Sequence, residues 1–135
     1  ATRLIALSKE WEQENSCYGY LGNNSEDFKD KRIFVAAEGD LIFGYLLGHN
    51  AQAEKDTSIY RGGTKYFEID ELYVTPQHRN SGIGKELFSC AERAVSPDVN
   101  VIMPVTATKN FREILHFYID ELGMDFWSAS LFKKI

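Results

Sequence analysis

The stretch from Tyr66 to Val95, YFEIDELYVTPQHRNSGIGKELFSCAERAV, constrains this chain most, because its hydrophobic period changes from strand to helix across a glycine-containing loop. Phe67, Ile69, Leu72, Tyr73 and Val74 make a β-branched and aromatic run that stops at Pro76, which cannot continue a ladder. Beyond Arg79-Asn80-Ser81-Gly82-Ile83-Gly84, the apolar residues Ile83, Leu87, Ala91 and Val95 recur every four positions, which predicts a helix. The two glycines sit where strand becomes helix. There a backbone can approach a ligand closely, and the first unpaired N–H groups of the helix can bind an anion such as phosphate. Strand alternation puts Glu68, Asp70, Leu72 and Val74 on one face and Glu71 on the other.

Missing residues narrow the choice of phosphate ligand. A Walker loop needs Ser or Thr after its lysine, whereas Lys85 is followed by Glu86, which argues against a nucleotide-phosphate-binding domain. A dinucleotide fingerprint needs a third glycine where Leu87 stands. What remains is Arg79-x-x-Gly82-x-Gly84 directly after Leu72-Tyr73-Val74. This resembles the pyrophosphate-binding motif of the GNAT superfamily of acyl-CoA-dependent N-acyltransferases. A second block, His116 to Met124 (HFYIDELGM), resembles the family's FYxxxGF ending, with Met124 in place of the last aromatic. The resemblance covers Arg32 to Ile135.

It implies one α/β domain over residues 1–135: a mixed, mostly antiparallel sheet, splayed at its centre, with helices on both faces. The family fold opens with a strand before its first helix, and no segment of this sequence supplies one. The implied activity is direct transfer of the acetyl group of acetyl-CoA to a primary amine of a small molecule. Protein lysine or N-terminal amines, or a non-catalytic acyl-CoA sensor, are the alternatives. Acetyl-CoA would be co-substrate, no metal is called for, and family members are often homodimers.

The resemblance also assigns roles. Tyr118 matches the tyrosine that protonates the leaving thiolate, a task that suits a phenol. An ammonium has no lone pair, so a base must take a proton from the acceptor; Asp70 is the first choice and Glu68 the second. The backbone of Leu72, Tyr73 and Val74 would bind the pantetheine amides and hold the thioester carbonyl by an N–H. Arg79, Asn80, Ser81, Gly82, Ile83, Gly84 and Lys85 would cradle the pyrophosphate. Asn110 stands one place out of register for the family's contact with the CoA arm; Phe111 and Ile114 occupy the positions that usually carry Asn and Ala.

Elsewhere Thr2 can cap a helix over residues 3–14, with Leu4, Leu7 and Trp11 on one face. Residues 15–24 are rich in turn formers around Tyr18 and Tyr20, which the resemblance places near the acceptor pocket, and residues 26–31 suit a short helix. Arg32 to Glu38 and Leu41 to His49 read as strands joined at Gly39-Asp40. Ala51 to Lys65 reads as a long mobile connection, with Arg61-Gly62-Gly63 as a turn. Asn100 to Thr108 reads as a strand in which Pro104 forces a bulge or splay. Asn110 and Glu113 suggest a capping box for a helix whose apolar face is Phe111, Ile114, Leu115, Tyr118 and Leu122 and which ends at Gly123; Phe126 to Lys133 reads as a last strand.

Lys+Arg 15 against Asp+Glu 20 gives a formal charge of -5, which disfavours nucleic acid as a partner and suits a cationic acceptor. The sequence has no long apolar run to span a membrane and no signal-peptide pattern, so a cytoplasmic protein is expected. Cys17 and Cys90 read as reduced thiols, with Cys90 buried in its helix, and His49, His78 and His116 as scattered polar residues without metal-ligand spacing.

Overall fold

The computed structural model describes residues 9, 31–39, 41–106 and 108–135. The expected helix over 3–14 (Lys9 excepted), the turns around Tyr18 and Tyr20, and residues 26–30 lie outside the described residues. Three strands, β1 (Arg32–Glu38), β2 (Leu41–Gln52) and β3 (Lys65–Val74), form an antiparallel meander. A 3₁₀ turn (Pro76–His78) leads into helix α1 (Ile83–Val95), and β4 (Val101–Pro104) returns parallel to β3. Strand order is β1-β2-β3-β4, a mixed sheet as expected. Helix α2 (Phe111–Leu115) then continues as a π-helix over His116–Glu121.

One face of the sheet carries the larger core. Leu46, Phe67 and Ile69 meet Leu87, Phe88, Ala91 and Val95, the apolar stripe of α1. The opposite face carries Tyr45, Leu47 and Tyr73. Strict alternation along β3 cannot produce this division, because Phe67 and Ile69 share a core with Leu72 and Val74. The register explains it. Leu47 pairs with Glu71 and Gly48 with Ile69, so Asp70 is an extra residue, a β-bulge. Beyond it the faces exchange parity. The expected grouping is therefore corrected: Glu71 falls on the side of Glu68, and Leu72 and Val74 on the other.

Pro104 acts as its chemistry predicts. Among the described residues β3 and β4 pair from Tyr66↔Val101 to Ile69↔Pro104. β4 ends there rather than at the expected Thr108, because the proline lacks a ladder N–H, while β3 continues to Val74. The sheet opens there.

Four expectations change at element level. The loop after β2 is pinned rather than loose: β2 extends to Gln52, Ala53 N–H donates to Thr64 O at 2.8 Å, and Gly62 N–H donates to Asp56 Oδ1 at 2.7 Å. The Asn110 side chain makes no cap bond; its amide donates instead to the Glu113 carboxylate at 2.8 Å, so the capping box is not formed. Phe126–Lys133 forms no strand. Its indole is taken by the β2–β3 loop, with Trp127 Nε1 donating to Ser58 Oγ at 2.6 Å and its ring edge-on to Tyr60. Finally, Cys90 is exposed, on the solvent side of α1.

Candidate active site

Where β3 runs on past Pro104, a cleft of about 230 Å³ opens between the strands. Ile69 to Val74 form one wall, Pro104, Val105, Thr106 and Thr108 the other, and Asn110, Glu113, Ile114 and Tyr118 close it from the C-terminal helix. Arg79 stands among the lining residues. Of the residues expected to serve a site, the cleft gathers Asp70, Leu72, Tyr73, Val74, Arg79, Asn110 and Tyr118. Glu68 and residues 80–85 lie outside its lining, Glu68 on β3 and the others in the loop and first turn of α1.

Tyr118 sits in the π segment. Leu122 N–H donates to Phe117 O at 3.0 Å, five residues back, and Met124 N–H donates to Tyr118 O at 3.0 Å. This wider turn ends at Gly123, whose φ of 73° stops the helix. It also interrupts the expected apolar stripe, and Phe111 is left exposed. Burial pushes the Tyr118 phenol up to about 12, so it stays protonated at any ordinary pH. A group in that state donates a proton or a hydrogen bond and cannot serve as a base.

The loop between β3 and α1 is tied to the sheet. Thr75 N–H donates to Phe43 O at 2.9 Å, Thr75 Oγ1 and His78 Nδ1 are 2.7 Å apart, and the His78 ring stacks on Phe43 at 4.5 Å. Arg79 Nε donates to Val74 O at 2.8 Å with its guanidinium 5.2 Å from the Tyr73 ring centre, and Ser81 Oγ donates to His78 O at 2.5 Å.

The two glycines of the motif do different work. Gly82 caps α1 at φ 85°, a left-handed conformation that a side chain resists. At Gly84 a Cβ would lie 3.3 Å from the Phe117 ring, so its bare Cα makes room for the C-terminal helix. Ile83 packs against the core. What the loop offers an anion is therefore backbone, the N–H groups at the start of α1 ahead of Glu86, whose own N–H bonds to Gly82 O at 3.0 Å. Lys85 is exposed beside them.

The bulge brings a polar group together that spacing along the chain does not reveal. His49 lies opposite Glu68 in the register. Asp70 Oδ2 is 2.8 Å from His49 Nδ1 and 2.9 Å from Lys31 Nζ, and His49 Nε2 is 3.8 Å from Glu68 Oε2. Glu71 is nearly buried and accepts from Tyr45 O–H at 3.2 Å. The donor atoms of His49, Glu68 and Asp70 lie within 4.8 Å of one another, but the cation on Asp70 is the Lys31 ammonium. The other histidines are ordinary polar residues as expected: His78 bonds Thr75, and exposed His116 bonds Asp120 at 2.7 Å.

Sequence reasoning missed His49, Lys31 and Glu71 as members of this group. Only cross-strand register and the bulge bring them together. It also missed Thr106 and Thr108, although polar residues at the end of an apolar strand were a readable sign.

An opened sheet, a helix N-terminus beyond it, a phenol held protonated and carboxylates along one strand are thus grouped around or beside this cleft. The acetyltransferase (GNAT) family model matches residues 2–124, and the chain belongs to that family. Solved structures share the fold at low identity. An aminoglycoside acetyltransferase from an uncultured soil metagenomic sample is 18% identical with a TM-score of 0.70, over 98% of this chain and 88% of that one. The aminoglycoside N-acetyltransferase AAC(6')-Iy, in complex with CoA, is 15% identical with a TM-score of 0.64, over 96% and 88%. The ribosomal-protein-alanine N-acetyltransferase of Brucella melitensis biovar Abortus 2308 is 14% identical with a TM-score of 0.65, over 98% and 92%. No curated protein matches the chain. Among the described residues, no helix is long and apolar enough to cross a membrane.

Proposed function

We propose that this chain transfers the acetyl group of acetyl-CoA directly to a primary amine of a small, cationic molecule. The observation that carries the reading is the cleft itself, in which a phenol held protonated and a carboxylate of the β3 bulge, Tyr118 and Asp70, line one opening of the sheet. Acetyl-CoA supplies an activated acyl group on a thiol that leaves as an anion.

The residues present fit that molecule. β3 runs on past Ile69↔Pro104, its last pair with β4 among the described residues, and Leu72 to Val74 line the cleft, where their backbone would bond the amides of a pantetheine arm. The N–H groups at the start of α1, with Gly82 shaping the turn and Lys85 adding charge, suit a pyrophosphate. A β3 N–H directed at the acyl oxygen would stabilise charge developing there. Tyr118 would donate its proton toward the departing sulfur. Glu68 and Asp70, on the same side of β3, would hold the ammonium of the acceptor near the group that takes its proton. No nucleophilic side chain is required.

The test is thiol release from acetyl-CoA with pooled amines, each pool of one class: aminoglycosides, polyamines, amino acids, or peptides with free N-termini. Release above the no-amine background with a small-molecule pool is the expected result. Release with the peptide pool alone would replace the acceptor class, and failure to bind acetyl-CoA would sink the reading.

A further inference from the structure

The group that takes the acceptor's proton can be named from hydrogen-bond accounting. Asp70 Oδ2 already holds two donors, Lys31 Nζ at 2.9 Å and His49 Nδ1 at 2.8 Å. Both bonds must be given up or shared before that oxygen can receive a proton. An ionised carboxylate beside an ammonium only accepts, so Nδ1 of His49 carries a proton, and in the neutral ring the lone pair then stands on Nε2. Nε2 is turned to Glu68, whose Oε2 at 3.8 Å is too far for a hydrogen bond, yet its negative charge lies on the side where a proton would arrive. The His49 side chain is 32% exposed to solvent, and it stands outside the cleft lining, beside Asp70, which lines it. Among the described residues, the charged groups facing it are Lys31, Glu68 and Asp70.

We infer that His49 Nε2 accepts the proton of the acceptor amine, with Asp70 as the positioning residue that fixes the ring's tautomer and Glu68 facing the charged ring. This inference rests on the acetyl-transfer reading above. An N–H bond of the ammonium breaks, its electron pair stays on nitrogen to attack the acyl carbon, and a new N–H bond forms at Nε2. The imidazolium then returns its proton to water.

Two measurements test it. The first needs no acceptor: imidazole ¹⁵N spectra of the full chain, with His49 identified by its loss in His49→Gln. In the neutral ring, above its titration, protonated Nδ1 and bare Nε2 are expected, with the preference lost in Asp70→Ala; a neutral ring protonated on Nε2 overturns the assignment. The second is thiol release from acetyl-CoA with neamine, spermidine and an alanine-ended peptide as acceptors. His49→Gln should lower kcat about 100-fold, leave the KM for acetyl-CoA nearly unchanged and remove the acid limb of the pH–rate profile. Added imidazole should restore part of the turnover of His49→Ala. Loss of less than about threefold in His49→Gln, with the acid limb intact, overturns the proposal. If the wild type binds acetyl-CoA but turns over none of the three, the transfer reading falls and the role of His49 with it, whatever the tautomer; a wrong tautomer beside normal turnover removes only His49.

Discussion

A phenol is a useful acid only while it keeps its proton, and at Tyr118 burial ensures that it does. Tyr118→Phe should lower kcat by about 10²-fold at saturating acetyl-CoA and leave acetyl-CoA affinity, measured by calorimetry, nearly unchanged. An unchanged kcat would remove the phenol from the chemistry. The same residue makes a stability prediction. Its pKa rises from 10.0 to about 12 on folding, so its contribution is fully present below pH 10 and is lost as pH rises through about 12. Urea midpoints at pH 9 and pH 11 should therefore differ less in Tyr118→Phe than in wild type. At Gly82, φ 85° makes Gly82→Ala cost about 1–2 kcal/mol. Thermal unfolding would read that loss, and acetyl-CoA affinity should fall as the first turn of α1 shifts. Tyr118 and Gly82 were legible because each belongs to a local motif. His49 and Glu71 were not, since their neighbours are set by pairing across strands.

At the scale of elements, β3 is where sequence and structure part. Period-two alternation describes Phe67 to Ile69 and again Glu71 to Val74, but it fails at Asp70, where two residues oppose one. Nothing in the composition of EIDEL marks a bulge, because its acids tolerate either face. The bulge has a testable consequence. Deleting Asp70 would pair Glu71 beside Ile69 in regular alternation while Leu72 and Val74 keep their core face. The variant should fold, with circular dichroism and melting close to wild type, yet turn over at least about tenfold more slowly than Asp70→Asn, which removes the charge and keeps the bulge. Equal rates for the two would mean that the side chain matters and the backbone irregularity does not. Pro104, by contrast, was read correctly, because a missing N–H acts the same way in any strand that tries to pair beyond it.

The mixed sheet and the strand–loop–helix unit around α1 were readable because hydrophobic period and glycine position report them directly. The Phe126–Lys133 segment was not, since an apolar alternating run becomes a strand only if an edge receives it, and here Trp127 is held by Ser58 and Tyr60 instead. Net charge is the remaining property of the whole molecule that bears on function. A chain of formal charge -5 repels an anionic acyl donor at long range and attracts a cationic acceptor. Backbone N–H groups at the start of α1 act on the donor only at contact. Raising ionic strength from about 0.1 M to about 1 M shortens the screening length from roughly 10 to 3 Å. On that basis kcat/KM for neamine should fall several-fold across the range, and more steeply than for an acceptor carrying a single amine. The value for acetyl-CoA should change little, because loss of long-range repulsion offsets the screening of Lys85. Initial rates of thiol release at four or five salt concentrations would measure all three. A flat profile for neamine would mean that the field of the protein does not guide the acceptor, and the proposal of a small cationic amine would then lose its electrostatic basis.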